Sequence, residues 1–279
     1  MRSLGLKVVV ALSCGVFAFV ATAANAAGNH RIIYTPTKDA IVSKAPTQNL
    51  VNHGGPVIPS AKVVFIFWGP NFANVAHADH LYATTLQAFR DQFGTNGEYN
   101  TITQYSGSNG TVALSNLGSG TADVFDTTNP PTNVTDAIVQ SEVTSHGGTD
   151  TNTIYEVVIP STSYSSSGSS TSCGGPSLSY CAYHSWIGSG TSAIKYSIQP
   201  YPSCGGCSIS GWTAVQNQEH FVCHETREAV TDPTGTGWWT NSGSEADDKC
   251  AWSPTPFLVG GYGYQYEWSN SAHGCVQTQ

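Results

Sequence analysis

The chain predicts an α/β fold of mixed α+β type: one domain whose mixed sheet packs against helices, with a long helix at 213–231 and a disulfide-stapled C-terminal half. Three observations carry this expectation. KVVFIFW (62–68) is an unbroken apolar run of the kind found in strands buried on both faces. WTAVQNQEHFVCHETREAVT (212–231) contains no Gly or Pro and is followed by a stop at Pro233, which gives a helix of about five turns. Every cysteine after Cys14 falls between Cys173 and Cys275.

Residues 1–7 carry two positive charges, Val8 to Val20 form an apolar run too short to span a membrane, and small residues end at Ala24-Asn25-Ala26. This is the pattern of a secretory signal peptide, 1–26, cleaved after Ala26. Residues 27–52 lack periodicity and are expected to be an extended or disordered lead-in, leaving 53–279 as a single domain. No later run of about 18 apolar residues occurs, so the mature form carries no membrane span. A formal charge of −8 with only ten Lys and Arg excludes a nucleic-acid footprint.

The elements then follow in order. Residues 77–93 (HADHLYATTLQAFRDQF) place apolar side chains near helical spacing, and 111–117 (TVALSNL) reads as a strand. A helix is expected at 133–146 after the double proline at 130–131, closed by Gly147-Gly148. TIYEVVIP (153–160) is a second apolar strand, 164–177 a flexible polar loop, and 181–187 and 193–201 are strands. Strand, helix, strand, helix, strand in the first half points to an α/β sandwich.

Seven cysteines beyond Cys14 are an odd number, and Cys223, inside the long helix, is the expected free thiol. Six cysteines allow fifteen pairings. Local bridges Cys173–Cys181 and Cys204–Cys207, with Cys250–Cys275 closing the end, are the expectation.

The chemistry concentrates on the long helix and the loop after it. Residues four apart share a helix face, so His220, His224 and Glu228 form one stripe, with Glu225 at its edge. In an H-E-x-x-H helix two histidines hold zinc and the glutamate beside the first acts as general base. Here the run is H-E-T-R-E, with Glu228 in place of the second histidine, and a carboxylate is an acceptable zinc ligand. Seven of the eighteen acidic residues fall between Glu219 and Asp248, including Glu245, Asp247 and Asp248. Such crowding is relieved by a cation, and Arg227 and Lys249 are the two basic residues in reach. The competing reading is a solvated acidic helix face and loop. His184 is either a buried hydrogen-bonded histidine or a site residue.

HGGPVIPSAKVVFIFWGP (53–70), CAYHSW (181–186), PSCGGC (202–207), HETREAVTDP (224–233) and EADDKCAW (245–252) occur in an order that resembles the EXORDIUM-like, phosphate-induced family of secreted proteins. The resemblance covers most of 53–275. It places His184, His224, Glu225, Glu228, Glu245 and Asp248 on motif positions. The residue after Cys181 is Ala where the family has Gly, and 126–172 shows no correspondence. The resemblance implies an extracellular or cell-wall protein, and it assigns no chemistry.

Two functions of different class follow. One is a secreted zinc-dependent hydrolase of metallopeptidase type, with His224 and Glu228 on the metal, Asp248 as third ligand, Glu245 alternative or supporting, and Glu225 as catalytic base. The other is a non-catalytic extracellular or cell-wall module that binds a polysaccharide or protein partner around a structural cation. In that second reading the aromatics at 238, 239, 252, 262, 264, 266 and 268 either stack on sugars or simply pack. Calcium suits Glu245, Asp247 and Asp248, but a histidine ligand favours Zn2+.

Overall fold

The computed structural model describes residues 31–40 and 47–279, so the expected signal peptide at 1–26 lies outside the described residues. A six-stranded mixed sheet forms the centre. In chain order its strands are β1 (Ile33–Pro36), β2 (Lys62–Trp68), β3 (Val124–Asp126), β4 (Thr153–Ile159), β5 (Tyr180–Ile187) and β6 (Ile194–Pro200). In space they run β1–β5–β6–β4–β2–β3. The four strands from β6 to β3 are parallel neighbours, β5 runs antiparallel to β6, and β1 runs antiparallel to β5.

Three long helices flank the sheet: α1 (Ala78–Phe93), α2 (Asp136–Ser145) and α3 (Ala214–Thr231). Side chains alternate across a strand, and the two faces of β2 enter separate cores. Val63, Phe65 and Phe67 pack with Leu86 and Phe89 of α1 and Val222 and Val230 of α3. Val64, Ile66 and Trp68 pack with Val139 and Val143 of α2. The continuous apolar character of β2 and β4 is therefore the mark of a strand covered on both sides.

The long helix starts where its sequence places it. Thr213 Oγ1 accepts from the Gln216 N–H at 3.2 Å, and the Gln216 side chain accepts from the Thr213 N–H at 2.9 Å, a reciprocal capping box. From Asn217 to Thr231 every residue is buried. The C-terminal strand 262–264 closes the last open side, so near that a Cβ on Gly263 would lie 2.2 Å from the Gln216 carbonyl oxygen. With no solvent face, the polar residues of α3 must be satisfied internally.

Several expectations are corrected. The lead-in contains β1, an ordered strand of the main sheet. In 111–117 only Thr111 belongs to a strand, because the backbone of Ala113 and Ser115 bonds to the loop residues Pro59 and Gly94 instead of to a neighbouring strand. The helix expected from 133 opens with three strand residues, Asn133–Thr135, and starts at Asp136. The serine-rich stretch 164–177 is a hairpin, Tyr164–Ser167 with Ser170–Thr171, whose buried Ser172 hydroxyl accepts from the Ser165 N–H at 2.9 Å.

Three disulfides lie in the C-terminal half: Cys173–Cys204, Cys181–Cys207 and Cys250–Cys275. The expected local bridges Cys173–Cys181 and Cys204–Cys207 do not form. The turn at 204–207 docks beside the start of β5, so each of its cysteines meets one from the 173–181 stretch. Cys223 is free and buried, and burial pushes its thiol up to about 12. No helix among the described residues is long and apolar enough to cross a membrane.

Candidate metal centre

Helix α3, strand β5 and the loop 240–250 converge on one buried cluster. His224 and Glu228, one turn apart on α3, place Nε2 and Oε2 3.1 Å from each other. The other oxygen of Glu228 accepts from the backbone N–H groups of Asp247 at 3.1 Å and Asp248 at 2.8 Å, which ties the acidic loop to the helix. Asp248 Oδ1 thereby comes within 3.8 Å of His224 Nε2. From β5, His184 sets Nδ1 2.8 Å from Glu225 Oε2 and 3.8 Å from Glu228 Oε2, with its Nε2 3.6 Å from Glu245 Oε2. All six residues on motif positions, His184, His224, Glu225, Glu228, Glu245 and Asp248, share this place. Asp248 alone among the six reaches solvent, with its side chain 21% exposed.

Each histidine is held by one ring nitrogen and leaves the other without a hydrogen bond. His184 Nδ1 pairs with Glu225, and His224 Nδ1 pairs with Gln265 Oε1 at 3.2 Å. A carboxylate or amide oxygen as partner takes the Nδ1 proton, so the neutral ring that a metal requires carries its lone pair on Nε2, facing inward. That is the arrangement by which metal-binding histidines are oriented. Glu225 is fully engaged: the Thr35 hydroxyl of β1 donates to Oε1 and His184 to Oε2. Gln265 is itself fixed, donating to the Asp247 carbonyl at 2.8 Å.

The cation that α3 itself carries is engaged elsewhere. Arg227, fully buried, bonds to both oxygens of Asp247, lies 3.3 Å from Glu267, and donates to the carbonyls of Glu98 and Gln265 at 3.0 and 3.1 Å. Asp247 is therefore a structural partner of Arg227 and does not face the cluster. Burial pushes Glu225 up to about 8, and burial together with Asp248 pushes Glu228 up to about 7. Glu245 is raised well above the usual carboxylate range by burial and by Asp232 and Glu228. Burial lowers His184; it acts the same way on His224, where Glu228 and Glu225 overcome it and lift the imidazole well above its ordinary value. Five buried atoms here lack a hydrogen bond: Nε2 of both histidines, Glu228 Oε2, and both oxygens of Glu245.

No protein-family model, curated protein or solved structure matches the chain. The functional reading therefore rests on the site itself.

Geometry separates the cluster from neighbouring features. His220, the third member of the α3 stripe, stays in an aromatic nest with Phe221, Trp212 and Trp252, and burial lowers it to about 3. A cavity of about 540 Å³ lies beyond the C-terminal end of α3, lined by Ile58, Trp186, Lys195, Pro233 and Thr236, and includes none of the six cluster residues. Of the aromatics considered for sugar stacking, Tyr264 and Trp268 are buried, Trp252 packs on Phe221, and Trp239 stacks on His53 at 3.5 Å. None of the seven is fully exposed. Thr35 and Gln265 are the site residues that sequence reasoning misses. Neither carries a local signal, since each acts only through a contact with a distant element.

Proposed function

We propose that the protein is a secreted zinc-dependent hydrolase of metallopeptidase type. The observation that supports this is the convergence of buried donor atoms from two histidines and two glutamates, with His224 Nε2 3.1 Å from Glu228 Oε2 and both oxygens of Glu245 without a hydrogen bond. Imidazole nitrogens with carboxylate oxygens suit zinc, whereas calcium favours six to eight oxygens. His224, Glu228 and His184 would hold the ion, with Asp248 or Glu245 completing the set. Zinc supplies Lewis acidity and eases deprotonation of water at neutral pH. Glu225, which adjoins both histidines, would take a proton once its Oε1 is released from Thr35. Gln265 and Glu225 orient the two imidazoles. Export follows from the sequence pattern of residues 1–26, and three disulfides fit an oxidising compartment.

One observation favours the alternative, a non-catalytic extracellular module with a structural cation: both oxygens of Glu225 are occupied and the cluster is almost closed to solvent. Structural zinc sites are closed and catalytic ones keep an open position. Elemental analysis of the mature protein tests the shared premise. About one equivalent of zinc is expected, falling in His184→Ala, His224→Ala and Glu228→Ala. A chain without stoichiometric metal overturns both readings. With metal present, loss of peptide hydrolysis in Glu225→Gln at unchanged zinc content supports the hydrolase, and equal hydrolysis by that variant refutes the role of Glu225.

A further inference from the structure

Strand β1 is the edge of the sheet and touches the cluster through Thr35. Among the described residues this four-residue strand pairs with β5 alone, in the register Ile33 opposite His184 and Thr35 opposite Ala182. Its side chains alternate as those of a bound peptide do. Ile33 fits against Trp186 and Ala193, and Thr35 reaches down to Glu225, while Tyr34 lies on the far face against the rings of Tyr180 and Tyr183. Two of its anchors use main-chain atoms that any polypeptide possesses: Ser185 Oγ donates to the Arg31 carbonyl at 2.7 Å and Trp252 Nε1 to the Pro36 carbonyl at 2.8 Å. Arg31 also donates to the Gly243 carbonyl at 2.8 Å, in the loop that carries Glu245.

We infer that β1 is an internal occupant of an extended-peptide site, and that a polypeptide strand binds the β5 edge in the same antiparallel register once residues 31–38 withdraw. Adding a strand to a sheet edge is an established mode of peptide recognition: main-chain hydrogen bonds hold the backbone, and pockets for alternate side chains select the sequence. Here the Trp186–Ala193 pocket accepts an apolar residue, and the position two residues further on sits over Glu225. Withdrawal of β1 frees Glu225 Oε1 and uncovers His184. The closed cluster and the proposed hydrolytic role are then two states of one site. This substrate class rests on the hydrolase reading; the peptide site itself does not.

The test compares the mature chain with its Ile33→Asp variant, which unseats β1 without altering a cluster residue. The probe is a fluorescein-labelled peptide of residues 30–38, followed by anisotropy, together with the rate at which a chelator strips zinc. An internal occupant lowers the apparent affinity by the fraction of time the site is open. The variant is therefore expected to bind the probe at least about ten-fold more tightly and to lose zinc at least about ten-fold faster. Equal probe binding by a folded variant and the wild type overturns the inference. If neither protein holds zinc, the hydrolase reading fails, while the anisotropy arm still decides the peptide site. Should the variant not fold, hydrogen exchange on the wild type decides: the amides that pair β1 with β5 are expected to exchange at least about a hundred-fold faster than those pairing β2 with β4. Equal protection overturns it.

Discussion

Replacing Arg227 by Met tests how the acidic centre is held together. Methionine keeps most of the side-chain volume but removes the positive charge from a position with no solvent contact. Asp247 then loses its partner on both oxygens, Glu267 loses the guanidinium 3.3 Å away, and the carbonyls of Glu98 and Gln265 lose their donor. Removing one partner of a buried ion pair costs about 3–5 kcal/mol, because the remaining charge stays desolvated. Against a total stability of about 5–15 kcal/mol, this is a fifth or more of the whole. Urea unfolding followed by tryptophan fluorescence measures it, with Asp247→Asn made in both backgrounds. If Arg227 is the internal counter-ion, Asp247→Asn costs at least about 2 kcal/mol less in the Met background than in the wild type. A loss below about 1 kcal/mol for Arg227→Met, or additive costs in the cycle, would refute the argument.

Two further outcomes are expected. Replacing both Cys181 and Cys207 by Ser opens a bridge of sequence separation 26 and lowers stability by about 3.5 kcal/mol, read from the shift in urea midpoint at constant slope. Burial pushes the Glu219 carboxyl from 4.5 up to about 8, so the folded chain retains a proton that the unfolded chain releases. Its contribution to stability is complete below pH about 4.5 and is lost as pH rises towards 8, on the order of 5 kcal/mol at most. Glu219→Gln flattens that decline, and a variant whose stability falls as steeply over this window as the wild type would count against it.

Features governed by neighbours along the chain were legible in the sequence. The absence of breakers up to Pro233 and the four-residue spacing of His224 and Glu228 are local, and they placed α3 and half of the cluster. The both-sides-buried run 62–68 marked β2 for the same reason. Features made by pairs far apart were not. Thr35 meets Glu225 across 190 positions, and Gln265 meets His224 across 41, with no periodic pattern to announce either contact. His184 was undecided because a strand histidine looks the same whether it packs or binds. The disulfide exchange between the 173–181 and 204–207 stretches depends on how a turn docks against a strand, which spacing does not encode. The hairpin at 164–171 was hidden because its ladder is built by serines, whose composition resembles that of a loop.

The unpaired Cys223 imposes an order on maturation. Beyond Cys14 the chain carries seven cysteines, and in an oxidising compartment each exposed thiolate competes for the same partners. In the native state Cys223 is inert, since it is buried and its thiol stays protonated at physiological pH. Before α3 packs, it has the reactivity of any other cysteine. Packing of α3 before oxidation therefore keeps Cys223 out of the exchange that sets the other six. Early packing of the helix would then act as a timing device, sealing off the odd sulfur before the other six commit to their bridges.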